Sequence, residues 1–290
     1  MSLKGLGVAL ATPVTKSFKV DSPALERLVN HVINGGADYL VVLGTTGESP
    51  VFSWEEKLQI LEKVIDLSNM RVPTVFGHGG NNTYELIRKS RDLQDLPIAA
   101  LLSVSPYYNK PSQNGIIRHY ELLAESSEYP IILYNVPART GSNVEAETTL
   151  ALSAHENIIG MKEASGDIEQ VQKILREKRD EFLLLSGDDA ATFDMIKAGA
   201  DGVISVVGNI FPKPFKKMLK TIATDVLAAE KLDKDLQHVY QLLSKEGNPV
   251  SLKTGLECLG ICERTVVPPL FDGSEALASS WQLAIEQIEQ

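Results

Sequence analysis

Lys162 is the residue of this chain whose type and position most suggest chemistry. It is a lone cation near the end of the apolar run Ile158–Ala164, and a short run of this kind predicts a buried strand. A buried lysine loses much of its hydration, which disfavours the charged ammonium. A neutral amine can attack a ketone or an aldehyde and form a Schiff base. The alternative is a strand-end lysine that extends to solvent or pairs with Asp or Glu.

Polar residues at other predicted strand ends favour the chemical interpretation. Thr45 and Thr46 lie between glycines, where hydroxyls and backbone amides suit a carboxylate. The phenol of Tyr134 could shuttle protons while an imine forms. The guanidinium of Arg139, in a predicted loop, could clamp a second carboxylate. Each signal also has an ordinary structural interpretation. The threonines could belong to a glycine-containing turn, Tyr134 could be a core tyrosine, and Arg139 could be a solvated loop arginine.

The elements that must position these residues alternate along the chain. Short apolar runs separated by segments of helical periodicity predict βαβ units and a parallel sheet. Eight such units in roughly 220 residues predict an α/β fold, a (β/α)8 TIM barrel whose active site lies at the carboxyl ends of the strands. An open doubly wound sheet is the alternative, but the first run is not followed by a Gly-x-Gly-x-x-Gly turn. The predicted strands are Leu6–Val14, Tyr39–Gly44, Pro73–Gly77, Ala99–Val104, Ile131–Val136, Ile158–Ala164, Phe182–Gly187 and Gly202–Val207.

Helical patterns fill the intervals and the end of the chain. Ser22–Asn34 and Trp54–Leu67 each carry an apolar face, and Ser53 begins a capping box before the second. The strand pattern stops near Ala223. We therefore predict a catalytic barrel over residues 1–222 and a C-terminal three-helix appendage over residues 223–290, with helices at Asp225–Lys245, Ser251–Gly260 and Ser274–Glu289.

Composition limits the partners. The net charge of −10 argues against nucleic acid and anionic membranes as partners. Cys258 and Cys262 are too few for a disulfide framework, which indicates a reducing compartment. The N-terminus has no signal-peptide pattern, and no apolar run approaches the ~20 residues that cross a bilayer. These features predict a cytoplasmic protein.

Asp188 and Asp189, at the end of the seventh predicted strand, could suggest a divalent metal. The five histidines are scattered along the sequence, however, so we predict no metal site. An acidic end on this strand also argues against the phosphate site that many barrels build there.

Three segments together, Gly44–Glu48, Tyr134–Pro137 and Gly160–Asp167, resemble the dihydrodipicolinate synthase / N-acetylneuraminate lyase family of Schiff-base aldolases. The resemblance covers nearly the whole chain. It implies a (β/α)8 barrel with a C-terminal helical region, assembled as a homotetramer that is a dimer of dimers. The synthase branch fits best, because Arg139 stands where synthases carry an arginine and the loop Ser105–Ser112 looks like theirs.

The synthase branch implies condensation of pyruvate with L-aspartate 4-semialdehyde, the first committed step of the diaminopimelate route to lysine. One alternative is another pyruvate-dependent lyase or aldolase, acting on N-acetylneuraminate or on 2-keto-3-deoxy acids. The other is a non-catalytic barrel that senses a small molecule, against which the intact set of Lys162, Tyr134 and Thr45 argues.

Catalytic roles follow from the resemblance. Lys162 would form the imine with pyruvate, and the resulting enamine would attack the aldehyde. Tyr134, Thr45 and Tyr108 match the family's proton relay, with Tyr108 reaching across a dimer interface into the neighbouring site. The imine itself accepts the electrons, so no metal or organic cofactor is implied.

Binding roles follow in the same way. Thr46 and the amides of its loop would hold the pyruvate carboxylate, and Arg139 would hold the aldehyde substrate and position Tyr134. Gly187 and the carbonyl of Ile204 would line the pocket.

Two departures from the family pattern stand out. His78 replaces a small or hydroxyl residue, and a structural role is the more natural interpretation. At the possible allosteric lysine site, four residues suit the ligand or match the family, whereas Pro50, Trp54 and Lys57 differ from the sensitive enzymes. The Lys57 ammonium would repel a cationic ligand or occupy its place, which predicts weak or absent inhibition by lysine. The four matching positions are Ser49, Asn81, Glu85 and Tyr107.

Overall fold

Eight parallel strands close into a barrel in the computed structural model, which describes residues 2–289. Each strand pairs with its neighbours in chain order, and β8 pairs with β1 to complete the ring. The barrel prediction is confirmed, and the open sheet is excluded. The strands are β1 Gly5–Ala9, β2 Tyr39–Val42, β3 Thr74–Gly77, β4 Ala100–Val104, β5 Ile131–Asn135, β6 Ile158–Glu163, β7 Leu183–Ser186 and β8 Gly202–Ser205.

Helices surround the barrel and continue beyond it. The predicted cap at Ser53 is present as a full capping box, in which Ser53 and Glu56 each accept a backbone amide of the other. Arg139 lies in a one-turn helix rather than in the expected loop. The helices are α1 Ser22–Asn34, α2 Trp54–Ser68, α3 Thr83–Ser90, α4 Gln113–Ser126, α5 Pro137–Thr140, α6 Ala146–Ser153, α7 Ile168–Glu177, α8 Thr192–Lys197, α9 Pro212–Ile222, α10 Val226–Lys245, α11 Val250–Cys258 and α12 Glu275–Glu289.

Alternation along the strands divides the core into an inner and an outer layer. On β5, Ile132 and Tyr134 point into the barrel, whereas Ile131 and Leu133 pack outward against the helices. Lys162 pairs in register with Tyr134. The same alternation therefore places the lysine on the inner side, at the end of its strand.

The first strand is shorter than predicted. It ends at Ala9, where the Asn209 side chain donates to the Ala9 carbonyl (2.8 Å) and accepts from the Ala11 amide (3.1 Å). The rest of the predicted run, Leu10–Val14, stays buried but leaves the sheet. An apolar run predicts that its residues are buried. It does not predict how many of them pair with a neighbouring strand.

The C-terminal helices share the hydrophobic core of the barrel. Leu252, Leu256 and Trp281 belong to the same buried cluster as residues of β1 and α1, and the Trp281 indole donates to the Ser251 hydroxyl (3.1 Å). The three expected helices are present. A boundary after residue 222 would fall between α9 and α10, and the division there stays a prediction. None of the helices between residues 2 and 289 has the length and apolarity that crossing a membrane requires.

Candidate active site

Lys162 and Tyr134 form the centre of the candidate site. Both are buried, with 5% and 6% of their surface exposed. The Lys162 Nζ lies 4.3 Å from the centroid of the Tyr134 ring. Within residues 2–289, no carboxylate lies within 4 Å of this amine. Among the described residues, Lys162 therefore lacks the Asp or Glu partner that a structural buried lysine normally has.

The carboxylate next to Lys162 in sequence points away from it. Glu163 is buried behind the barrel wall and accepts hydrogen bonds from the Asn135 side chain (3.1 Å), the Ser165 amide (2.6 Å) and the Gln170 side chain (3.0 Å). These bonds fix the end of β6. They also leave the Glu163 charge satisfied without the lysine.

Gly187 gives the lysine its space. A Cβ at this position would lie 3.0 Å from Lys162 Cε and 2.8 Å from Ala164 Cβ. Contacts this short require the neighbours to move. The glycine is thus explained by the close approach of Ala164 together with the Lys162 side chain.

The Gly44–Glu48 loop, which carries both threonines, has a strained residue immediately before it and another at its last position. Leu43 and Glu48 have left-handed φ angles of 58° and 54°. Such conformations cost about 1–3 kcal/mol each and persist only where the surroundings enforce them. Thr12, beyond the end of β1, helps to hold the loop by donating its hydroxyl to the Gly47 carbonyl (2.9 Å).

A buried ion pair joins this loop to the C-terminal helices. Glu48 Oε1 lies 2.5 Å from the Lys253 Nζ, and the two side chains are 2% and 0% exposed. The other Glu48 oxygen accepts the Val267 amide (2.8 Å), and Lys253 donates to the Thr265 carbonyl (2.9 Å). This contact was not predicted from the sequence. Lys253 is a lone cation in the stretch Val250–Leu256, but this stretch also contains Ser251 and Thr254, so its signal in the sequence is weaker than that of Lys162.

A second contact from the C-terminal region reaches both predicted carboxylate-binding residues. The Asn248 side-chain amide donates to the Thr46 hydroxyl (3.0 Å), and the Asn248 carbonyl accepts from Arg139 Nη2 (3.2 Å). Thr46 is buried, whereas Arg139 is exposed at the rim. Asn248 was also missed, because nothing in the local sequence indicates a partner 202 residues away.

These residues enclose a cavity of about 440 Å³, the Lys162 cavity. The predicted residues Lys162, Tyr134, Thr45, Thr46, Arg139 and Gly187 all line it. Ile204 does not, since it packs inside the barrel in the cluster of Tyr134, and Val206 takes the lining position. The full lining is Thr45, Thr46, Tyr134, Val136, Ala138, Arg139, Lys162, Ala164, Gly187, Asp188, Asp189, Ala190, Val206, Tyr240, Leu243, Ser244, Gly247 and Asn248.

Tyr108 is not among the residues that line this cavity. Its side chain is 88% exposed, and its φ is 74°. The family pattern assigns Tyr108 to the site of a neighbouring subunit, and within one chain it lies outside the Lys162 cavity.

A smaller cavity of about 260 Å³, the Lys57 cavity, adjoins the first. Thr45, Tyr134 and Arg139 line both cavities. Of the four predicted allosteric residues, Ser49 and Tyr107 line the Lys57 cavity and Asn81 and Glu85 do not. The full lining is Leu43, Gly44, Thr45, Ser49, Pro50, Lys57, Gly77, Gly79, Leu102, Val104, Tyr107, Tyr134, Val136, Arg139 and Thr140.

The two remaining allosteric candidates bind neighbours. Asn81 donates its side-chain amide to the Tyr107 carbonyl (3.1 Å). Glu85 pairs with Lys89 at 2.6 Å, and this lysine lowers the pKa of the Glu85 carboxyl. Asn81 therefore braces the loop of Tyr107, and the Glu85 charge is already compensated.

His78 is packed within the protein. Its Nε2 lies 3.0 Å from the Leu86 carbonyl, and its ring stacks on Phe76. Burial lowers the pKa of His78 to about 4. A neutral ring that donates to a backbone carbonyl is a structural arrangement.

Asp189 joins the ends of β7 and β8. Its Oδ2 accepts the amides of Val206 and Val207, both at 2.9 Å, and burial raises the pKa of the carboxyl. Asp188 caps the turn by accepting the Ala190 amide (3.0 Å). Across the described residues, no three His, Cys, Asp or Glu side chains are grouped as metal ligands.

Known proteins match this chain over nearly its whole length. The profile of the dihydrodipicolinate synthetase family matches residues 2–288. The chain belongs to this family. A 4-hydroxy-tetrahydrodipicolinate synthase from Flavobacterium psychrophilum is 45% identical over 99% of this chain and 98% of its own length.

Solved structures of the dihydrodipicolinate synthetase family have the same fold. The chloride-inhibited dihydrodipicolinate synthase from Acinetobacter baumannii, complexed with pyruvate, superimposes with a TM-score of 0.96 at 35% identity over 99% of both chains. The enzyme from Cyanidioschyzon merolae with lysine bound superimposes with a TM-score of 0.95 at 31% identity, over 99% of this chain and 98% of that one.

Proposed function

We propose that this chain is a lyase, a 4-hydroxy-tetrahydrodipicolinate synthase that condenses pyruvate with L-aspartate 4-semialdehyde. The observation that carries the proposal is the buried Lys162 amine, which faces the Tyr134 ring in a cavity and has no carboxylate partner among the described residues. The names of the relatives and the pyruvate complex of one of them support the choice of substrate.

The chemistry begins at the Lys162 nitrogen. The neutral amine attacks C2 of pyruvate, and loss of water from the carbinolamine gives the imine. Loss of a proton from C3 gives the enamine, which forms a carbon–carbon bond with the aldehyde carbon of the second substrate. The amino group of that substrate then attacks C2, displaces Lys162 and closes the six-membered ring.

Proton transfer accompanies each of these steps. Carbinolamine formation and dehydration need a group that gives and takes a proton next to the reacting carbon. Tyr134 lies beside the lysine, and Thr45 lines the same cavity. We assign the relay to these two residues and to Tyr108 of a neighbouring subunit.

The two carboxylates bind on opposite sides of the relay. The buried Thr46 hydroxyl and its loop amides hold pyruvate, and the exposed guanidinium of Arg139 receives the second substrate from the rim. Asn248 contacts both Thr46 and Arg139. It is therefore positioned to keep the two binding residues in a fixed relation.

Assembly and location extend the proposal. The exposed side chain of Tyr108 supports a role across a subunit interface, and we assign a homotetramer built as a dimer of dimers. A cytoplasmic location fits the free thiols of Cys258 and Cys262. The weak or absent inhibition by lysine expected from Lys57 stays a prediction, and inhibition at submillimolar lysine would contradict it.

Two measurements test the proposed function. Treatment with pyruvate and borohydride should add a reduced pyruvate adduct to Lys162, detected by mass spectrometry, and Lys162→Ala should gain none. A coupled assay with pyruvate and L-aspartate 4-semialdehyde should show turnover that Lys162→Ala loses. Substantial turnover by Lys162→Ala would overturn the mechanism. An adduct without turnover would overturn the assignment of L-aspartate 4-semialdehyde as the second substrate.

A further inference from the structure

The charges that line the Lys57 cavity are all of one sign. Lys57 and Arg139 contribute two cations, and no Asp or Glu of the part of the chain that the structure describes lines this cavity. The hydroxyls of Ser49 and Tyr107 add donors. The chain as a whole carries a net charge of −10, so this concentration of positive charge is local to the cavity.

Lys57 is a cation without a described partner. Within residues 2–289, it makes no ion pair within 4 Å. The nearest candidate, Glu85, is bound to Lys89 at 2.6 Å. Burial, followed by the charge of Lys89, lowers the pKa of Lys57. A half-buried ammonium in these surroundings lacks the compensation that buried charges normally have.

We propose that the Lys57 cavity is a binding site for a small inorganic anion of the size and charge of chloride, held by the Lys57 ammonium. The Glu85 carboxylate acts on Lys57 only at a distance, because it is bound to Lys89. An anion in the cavity would supply the direct counter-charge, and the hydroxyl-rich wall can complete its coordination. The volume of about 260 Å³ holds a chloride ion and several waters, since a water molecule occupies about 30 Å³. A relative that is 35% identical is described as chloride inhibited, which shows that chloride acts on at least one protein of this fold.

The position of the cavity couples the anion to the reaction. Thr45 and Tyr134 line both cavities, so an anion beside Lys57 lies next to two members of the proposed relay. It would draw their hydroxyl protons away from the Lys162 side. We therefore expect chloride to reduce turnover in a way that excess pyruvate does not relieve, and this part rests on the proposed function.

Chloride binding is measured directly by the line width of ³⁵Cl in nuclear magnetic resonance, with no substrate present. The wild-type protein should broaden the line saturably, and Lys57→Met should bind chloride weaker by about fivefold or more, the factor expected from one charge contact even at the dielectric of water. Lys57→Arg keeps the charge and should keep the broadening. Lys63→Met is the matched control, because it removes an exposed cation of the same helix, α2, that does not line the cavity.

The outcomes separate this proposal from the proposed function. Broadening that is equal in wild type and Lys57→Met, or lost equally in Lys63→Met, would overturn the anion site while leaving the imine chemistry untouched. Circular dichroism of each variant shows whether it is folded. In the coupled assay, turnover by Lys57→Met should resist chloride and turnover by Lys63→Met should not, and equal inhibition of both would overturn the coupling.

Discussion

Breaking the ion pair between Glu48 and Lys253 should both destabilise the fold and loosen the Gly44–Glu48 loop. The two side chains are almost fully buried and lie 2.5 Å apart. Lys253→Met leaves the Glu48 carboxylate buried with the Val267 amide as its remaining described donor. Removing one partner of such a pair costs about 3–5 kcal/mol, because an uncompensated charge stays in the interior. Glu48→Gln should cost a similar amount, since it strands the lysine instead.

The double variant isolates the pair itself. With both charges gone, the Gln side-chain oxygen can still accept from the Val267 amide, so the double variant should lose about as much stability as one single variant. The coupling energy should then reach about 3 kcal/mol, at the upper end of what residues in contact show. Urea unfolding followed by circular dichroism gives the free energies of unfolding. Costs that add to within about 0.5 kcal/mol would refute the argument, because additivity marks independent sites.

Activity provides the second measurement on the same variants. The pair holds a loop that carries Thr45 and Thr46, so the KM for pyruvate should rise in both single variants under conditions where they remain folded. Lys234→Met is the control, because Lys234 pairs with Glu230 on an exposed surface of α10. It should change neither the urea midpoint nor the KM. An unchanged KM in the folded Lys253→Met variant would show that the pair has no effect on the loop.

Three further predictions concern single residues. Gly187→Ala places a Cβ 3.0 Å from Lys162 Cε, which should displace the amine from its reacting position. Borohydride trapping should therefore slow by roughly tenfold, equivalent to ~1.4 kcal/mol of activation free energy. Trapping at the wild-type rate would contradict the close-approach argument. Arg139→Lys should raise the KM for the aldehyde substrate by about tenfold, because an ammonium cannot bind a carboxylate with two parallel hydrogen bonds, and the rate of adduct formation with pyruvate should stay unchanged. Burial lowers the pKa of His78 from 6.5 to about 4, so in this interval the unfolded chain binds a proton that the folded chain does not. Stability should therefore fall as the pH decreases from 6.5 to 4, by up to about 3 kcal/mol from this ring. Urea unfolding at several pH values gives the free energy of unfolding as a function of pH, and His78→Leu should change less steeply than the wild type. The slope that remains should include a contribution from His119, whose pKa burial lowers in the same way. A slope equal to that of the wild type would show that His78 is not the titrating group.

Much of the fold could be predicted because its signals are local. Apolar runs of strand length mark all eight strands, and side-chain alternation places Lys162 and Tyr134 on the inner face once their strands pair in register. The clustering of polar residues at strand ends follows from barrel geometry alone. The strand over Leu6–Val14 was predicted too long, because burial of Leu10–Val14 comes from packing outside the sheet.

The contacts from the C-terminal region could not be predicted in the same way. Asn248 reaches Thr46 across 202 residues of sequence, and no periodicity or motif links positions so distant. Lys253 is a lone cation within α11, but nothing in the sequence pairs it with Glu48, the last residue of the Gly44–Glu48 segment. Sequence patterns identify elements, whereas the pairing of two distant charges depends on how those elements are finally packed.

The contacts of Asn248 and Lys253 with the Gly44–Glu48 loop also have a consequence for the order of synthesis. The loop leaves the ribosome early, and the residues that hold it are made last. At the usual rate of protein synthesis, residues 223–290 take roughly 3 to 14 seconds to make. Until Asn248 and Lys253 are made, a nascent chain has all eight barrel strands but a Gly44–Glu48 loop that lacks these two contacts. A premature stop codon before Asn248 would remove both contacts, and we therefore expect it to abolish the activity rather than leave a shortened enzyme that works slowly.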